Sequence, residues 1–386
     1  MNNYKIAVIG SGIIGMTCAL QLSKLNNVNV TLFGKEPQYS KHKTTAILQT
    51  SFNIFQDLIS LKENDKIISA LIKFKIIDQL SSAEKILEFY SSEINLNAFA
   101  YNVSDTDLSK LLIKEILNKD NIKRKKTLVK KILQDIDNII IETSGKNEIF
   151  DLIIGADGRN SITRDFANIE YTRKKYKENI LITTIDHKED HNGTSYEIHK
   201  NGSLLTSVPL SSKKSAIVYI NDKKNIKSFI ENKKLQNIFN TTLSPYLGRV
   251  EMNSNFSELP SEVVIADKLA KNRVILVGES AHVFPPLGAQ GLNLGIRDIK
   301  ELYSLLAQNR DINPGSKVIT NKYNEQRWLD VYKRHKSVNL LYSSMMENKT
   351  RYKILRNIGL QSLNKSKILR KILLSQGMVI EKKINN

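Results

Sequence analysis

With 386 residues, 41% of them hydrophobic and 25% charged, the chain is long enough for two domains or one elaborated one. No apolar run reaches the roughly 18 residues a bilayer span requires, and Met1 leads without a leader peptide into a strand, so a cytoplasmic protein is expected. The formal net charge of +19 lacks any RNA-binding motif or zinc finger, and Cys18 is the single cysteine, so no nucleic-acid partner, disulfide or metal is expected.

Lys5–Ile9 reads as a short buried strand entering Gly10-Ser11-Gly12-Ile13-Ile14-Gly15. A helix with Ile14, Cys18, Leu22 and Leu25 at helical spacing follows, then a second strand, Val28–Phe33. Cys18 is read as a packed core thiol. Residues 44–75 are expected to be helical, with Ile54, Leu58, Ile59 and Leu61 on one apolar face. A further helix is expected at Leu108–Leu117, then a strand at Asn138–Glu142, and Leu152–Ile154 carries the chain into Gly155-Ala156-Asp157-Gly158. Alternating segments such as Leu204–Leu210 and Ser215–Ile220 predict an antiparallel sheet within 170–258. Arg273–Val277 is a buried strand, and from Lys317 the pattern is helical and basic.

Each of the three glycine-bearing stretches has a chemistry. After the first strand, Gly10 permits a tight turn, Gly12 lets backbone approach a pyrophosphate, and Gly15 lets helix and strand pack closely. The helix opened by Ile13 and Ile14 offers free N–H groups to phosphate. Where an acidic residue usually ends the second strand and binds a ribose stands Gly34, with Glu36 two residues on as its substitute. In the middle stretch Asp157, before Gly158, either accepts from a ligand hydroxyl or fixes its own loop. In the third, Glu279 follows a buried strand, Pro285 and Pro286 stiffen a loop, and Gly288 and Gly291 let it pass a flat ligand. Leu292 and Asn293 begin a helix whose amides suit a flavin pyrimidine edge. Together the stretches point to FAD. His282 has no evident carboxylate partner and is read as structural.

At these residues the chain resembles the FAD-dependent aromatic hydroxylases (class A flavoprotein monooxygenases, like para-hydroxybenzoate hydroxylase), and most of all the ubiquinone-biosynthesis hydroxylases. Lys43-Thr44-Thr45-Ala46, Glu93–Asn102, His191–Glu197 and Tyr323–Arg327 are similar to further segments of that family, so the likeness covers nearly the whole chain. The resemblance implies an α/β fold: a Rossmann-type FAD domain from 1–75, 100–169 and 259–316, an inserted antiparallel substrate sheet from 76–99 and 170–258, and a helical region at 317–386. It implies non-covalent FAD reduced by NAD(P)H as a transient co-substrate. A flavin hydroperoxide formed with O2 then hydroxylates a polyprenylated phenol in ubiquinone biosynthesis. The implied cofactor residues are Gly10, Gly12, Ile13, Ile14, Gly15, Glu36, Lys43, Asp157, Gly158, Glu279, Pro286, Gly288, Gly291, Leu292 and Asn293. Gly34, Lys43 and Glu279 depart from the customary acid, arginine and aspartate. No catalytic residue is identified. A hydroxylase of a soluble aromatic acid and a non-catalytic flavoprotein scaffold of a biosynthetic assembly are the alternatives. A lipid substrate also implies contact with the inner face of the cell membrane, for which residues 354–373, alternating Ile and Leu with Lys and Arg, are the candidate. The alternative for that helix is an apolar face packed on the protein body.

Overall fold

A computed structural model describes residues 3–378, apart from 38, 41, 81–83, 135–137, 144–145, 201 and 347–349. Its centre is the strand Tyr4–Ile9, paired in parallel with Val28–Phe33 on one side and Leu152–Gly155 on the other. Buried on both faces, such a strand must be apolar nearly throughout, as KIAVI is. The sheet has six strands, in the order Ala270–Lys271, Val274–Leu276, Leu152–Gly155, Tyr4–Ile9, Val28–Phe33, Ile122–Lys125. Neighbours are parallel except for the 270–276 hairpin. The expected strand Arg273–Val277 is thus shorter, at Val274–Leu276.

The helix Ile13–Leu22 packs against Asp105–Leu117 and Gln290–Gln308. Ser104 caps the second of these by accepting from the Asp107 N–H, and Asp105 and Asp107 complement its positive end. A three-stranded meander, Lys131–Gln134, Ile139–Thr143 and Lys146–Phe150, sits beside the six-stranded sheet, with Phe150 edge-on to Phe33 at 5.8 Å. Cys18 is fully buried, and burial pushes its thiol up to about 12, as suits an inert core residue.

The single long helix expected over 44–75 is replaced by strand, helix and two strands. Thr44–Leu48 and Ile68–Leu71 flank Ala100–Ser104 in a small antiparallel sheet, and only Gln49–Ile59 is helical, ending at Ser60 with φ 53°. Ile54 and Leu58 do face the core as expected. The pairing with residues 100–104, far away in sequence, overrides the local apolar spacing.

From Lys73 the chain enters an eight-stranded sheet. Its spine is two 17-residue strands, Tyr171–His187 and Val250–Ala266, and it includes the antiparallel strands Ser203–Ser211 and Lys214–Asp222 anticipated from alternation. Helices Lys223–Glu231 and Leu235–Leu247 are joined to this sheet by one apolar cluster, including Ile226, Phe239 and Leu243. A separate cluster joins Leu48, Leu71, Phe89 and Phe99 to Leu360 and Leu374 of the C-terminal helices Thr350–Lys365 and Lys367–Met378. A third long helix, Lys317–Met346, precedes them.

Candidate cofactor site

The three glycine-bearing stretches meet at one seam. A Cβ on Gly10 would lie 2.1 Å from the Ala156 carbonyl oxygen, and one on Gly15 would lie 1.8 Å from the Gly10 carbonyl oxygen. First and second stretches therefore touch through backbone, and only glycine allows it. Ile14 joins the first to the third: Cβ atoms built on Gly278 and Gly295 would meet its side chain at 3.1 and 2.7 Å. The second and third are linked by the Val277 N–H, which donates to the Gly155 carbonyl at 2.9 Å, and by the buried Arg164, which donates to the Ser280 carbonyl at 3.0 Å.

Other glycines have no such reason in the protein itself. A Cβ at Gly12 or Gly291 would meet nothing within 4 Å, and their backbones (φ −74° at Gly12, helical at Gly291) suit any residue. Gly158 is also open, although its φ of 83° favours glycine on its own account. Space is thus kept clear along the loop, where backbone of a phosphate- or ring-binding turn would meet its ligand. This openness fits a dinucleotide.

Asp157 divides its two oxygens. Oδ2 accepts from the Thr163 N–H at 3.0 Å and hydroxyl at 2.8 Å, which fixes the loop, while Oδ1 is buried without a partner among the described residues. An unpartnered buried carboxylate oxygen is costly unless a ligand donor reaches it. Glu279 lies in the turn Gly278–Ser280 and pairs with Arg159 through contacts of 3.2 and 3.3 Å, its carboxylate half exposed. Arg159 also reaches the buried Glu262 at 3.4 Å.

Gly34 has a local cause. A Cβ there would fall 2.4 Å from the Ser11 hydroxyl, which itself donates to the Lys35 carbonyl. No acidic side chain fits at that position. Glu36 is turned to Arg124 and Lys126; hydrogen bonds from Lys126 and Arg124 hold its carboxyl below the usual range. Lys43 is half-buried at the entry to Thr44–Leu48, its carbonyl accepting from the Asp105 N–H at 3.1 Å.

In the third stretch Gly288 and Ala289 both take positive φ, 59° and 54°, and turn the loop behind Pro285 and Pro286 into the helix Gln290–Gln308. Asn293 is buried and fully engaged: its Oδ1 accepts from the Leu48 N–H at 2.9 Å, and its Nδ2 donates to the carbonyls of Ala46 and Ala289 at 2.9 and 2.6 Å. Its side chain therefore positions the loop against Thr44–Leu48. The backbone N–H groups of the first helical turn, at Gln290, Gly291 and Leu292, are those an α-helix leaves without an internal partner.

His282 does have a carboxylate partner, contrary to expectation. Its Nε2 lies 2.7 Å from Asp298 Oδ2, which also accepts from the Gly278 N–H at 2.9 Å, while Asp298 Oδ1 accepts from Arg327 at 2.8 and 2.9 Å. Burial opposes the charge on Asp298, but His282 and Arg327 outweigh it and hold the carboxyl below its ordinary value. The triad is closed to solvent and locks the turn bearing Glu279 to the helices behind it. Its structural reading stands, for a different reason. Asp298 was within the third stretch and Arg327 within the Tyr323–Arg327 segment, but 29 residues separate the pair and nothing local signals it.

A family model described as FAD binding domain matches residues 3–329. A ubiquinone hydroxylase of Neisseria meningitidis is 24% identical over 96% of this chain and 84% of that protein. The mitochondrial ubiquinone biosynthesis monooxygenase of Dictyostelium discoideum is 21% identical over 97% of this chain and 90% of its own length. Among solved structures, p-nitrophenol 4-monooxygenase of Pseudomonas putida superposes with a TM-score of 0.79 at 17% identity, covering 99% of this chain and 100% of that one.

Proposed function

Because this chain belongs to the FAD-binding-domain family, we propose that it is an FAD-dependent monooxygenase hydroxylating the ring of a polyprenylated phenol on the route to ubiquinone. The observation that carries the cofactor is the seam at which three separated stretches touch while Gly12 and Gly291 face open space. Bound FAD, reduced by NAD(P)H, supplies the electrons with which one atom of O2 enters the ring and the other leaves as water.

The chain's own residues bind, orient and exclude water. Gly10, Gly12, Ile13, Ile14 and Gly15 present the loop and helix start to the pyrophosphate. Glu36, paired with Arg124 and Lys126, would accept from the adenosine ribose in place of an acid at Gly34. Asp157, through its bonds to Thr163, would fix the loop beside Gly158 for the cofactor, and Lys43 would add positive charge. Pro286, Gly288, Gly291 and Leu292 would line the ring, with Asn293 holding that loop in place and Glu279, on the turn Gly278–Ser280, contributing beside it. The sheet built on Tyr171–His187 and Val250–Ala266 would serve to shield the ring from water.

The C-terminal helices carry the membrane reading. Leu360 and Leu374 pack on the body, whereas Ile354, Ile358, Ile368, Leu369, Ile372 and Leu373 are exposed, Ile368 by 74%. Arg356 and Arg370 are consumed by Asp78 and Glu93, leaving Lys365, Lys367 and Lys371 to flank the exposed apolar row; the side chains of Arg351, Lys353 and Leu355 lie outside the described ones. Such a face suits an anionic lipid surface.

The test is turnover under isotopically labelled O2 with purified protein, FAD, NAD(P)H and a short-chain prenyl phenol. One labelled oxygen in the ring product supports the proposal; label only in peroxide and water, with no hydroxylated product from any phenol, overturns it.

A further inference from the structure

The helix Lys317–Met346 carries an outward side that the cofactor site does not use. Tyr323, Arg327, Val331, Val338 and Tyr342 hold its inner side against the body. Away from them stand Trp328, Leu329, Tyr332, Leu340 and Leu341, all exposed, Trp328 by 41% and Leu340 by 56%. Recurrence every three or four residues gathers such side chains on one stripe. Trp328 is the only tryptophan of the chain.

The stripe is ordered in advance. The Trp328 and Tyr332 rings stack with centroids 4.9 Å apart and planes at 11°, and the Lys336 ammonium lies 5.2 Å from the Tyr332 ring centroid. Stacking and cation–π attraction hold these three side chains, spaced four residues apart, as a ladder along the helix. Their conformational freedom is reduced before any partner arrives.

Charge selects the partner. From residue 328 to 341 the sequence has one acid, Asp330, and Arg297 and Arg327 hold it, while Lys333 and Lys336 stay exposed. A second copy laid on this side would set lysine against lysine. Aromatic rings flanked by lysines instead match the headgroup layer of an anionic bilayer. The stripe runs into the exposed row of the C-terminal helices. Arg356 donates to the Ser344 carbonyl at 2.8 Å, one turn from Leu340 and Leu341, and Ile354 and Ile358 are exposed before and after Arg356.

We infer that the Trp328–Tyr332–Lys336 ladder, with Leu329 and Leu340, is a second lipid-contacting surface that docks this helix on an anionic bilayer. The inference rests on the lipid reading proposed above for the C-terminal helices. Two contacts on different helices fix the orientation of the protein on the surface, where one would let it pivot.

The tryptophan emission of the FAD-loaded protein tests this, with vesicles of equal parts phosphatidylglycerol and phosphatidylcholine. Emission is expected to shift to the blue on binding and to be quenched by the same lipids with brominated acyl chains. Trp328→Ser is expected to weaken vesicle sedimentation by at least about tenfold at an unchanged melting temperature. Sedimentation of the wild type with emission unshifted and unquenched, or undiminished sedimentation of Trp328→Ser, overturns this inference and leaves the C-terminal contact standing. A blue shift on raising the protein concentration without lipid, with dimers in gel filtration, assigns the stripe to a second copy and overturns it too. Wild type that is folded but never sediments overturns the lipid reading itself, and this inference with it.

Discussion

Gly10, Gly12 and Gly15 are the same residue for two different reasons, and substitution separates them. Alanine at Gly10 or Gly15 meets backbone at 2.1 or 1.8 Å and is expected to destabilise the fold by about 1–3 kcal/mol, seen as a lowered melting temperature with or without FAD. Alanine at Gly12 adds a Cβ that meets no protein atom within 4 Å, so the flavin-free melting temperature should stay unchanged while FAD affinity falls by at least about tenfold. Equal loss of stability at all three positions would contradict the assignment of open space to a ligand. Asp298 gives a second residue-level test. Its carboxyl titrates lower in the folded chain than in the unfolded one, so its stabilisation is complete above the ordinary carboxylate range and is lost as pH falls through the folded value. Asp298→Asn is expected to cost about 3 kcal/mol near neutrality, because Arg327 and His282 stay buried, and to flatten the acid limb of the stability curve. At this scale the glycines were readable because their spacing after an apolar strand is a local pattern. The His282–Asp298–Arg327 triad was not, because its partners are distant in sequence.

At the scale of elements, Val28–Phe33 has the bounds expected of it, whereas the helix expected at Leu108–Leu117 begins three residues earlier, at Asp105, where Ser104 caps it. The segment from 44 to 75 departs from its expected helix, because Thr44–Leu48 and Ile68–Leu71 gain their conformation from pairing with Ala100–Ser104 rather than from their own periodicity. The C-terminal helices pack on the body, one of the two readings their amphipathic pattern allowed, and also leave apolar side chains exposed. One face is pinned to the body by the Arg356–Asp78 and Arg370–Glu93 pairs and by Leu360 and Leu374, and another is exposed. Replacing Ile368 and Ile372 together by serine removes two exposed side chains without touching that packing. Sedimentation with anionic vesicles is expected to show binding weakened by at least about tenfold at an unchanged melting temperature. Unchanged sedimentation would count against this face as the lipid contact.

For the molecule as a whole, part of the basic excess is paired with carboxylates: Arg327 with Asp298, and Arg159 with Glu262 and Glu279. What the chain accomplishes by folding is to bring residues 10–15, 155–161 and 278–298 to one seam, each supplying a part that is incomplete alone. Flavin uptake by purified protein tests that account most directly. Titration with FAD followed by gel filtration is predicted to leave a yellow protein carrying about one flavin per chain. Protein that stays colourless after the titration, while its melting curve shows it folded, would contradict it.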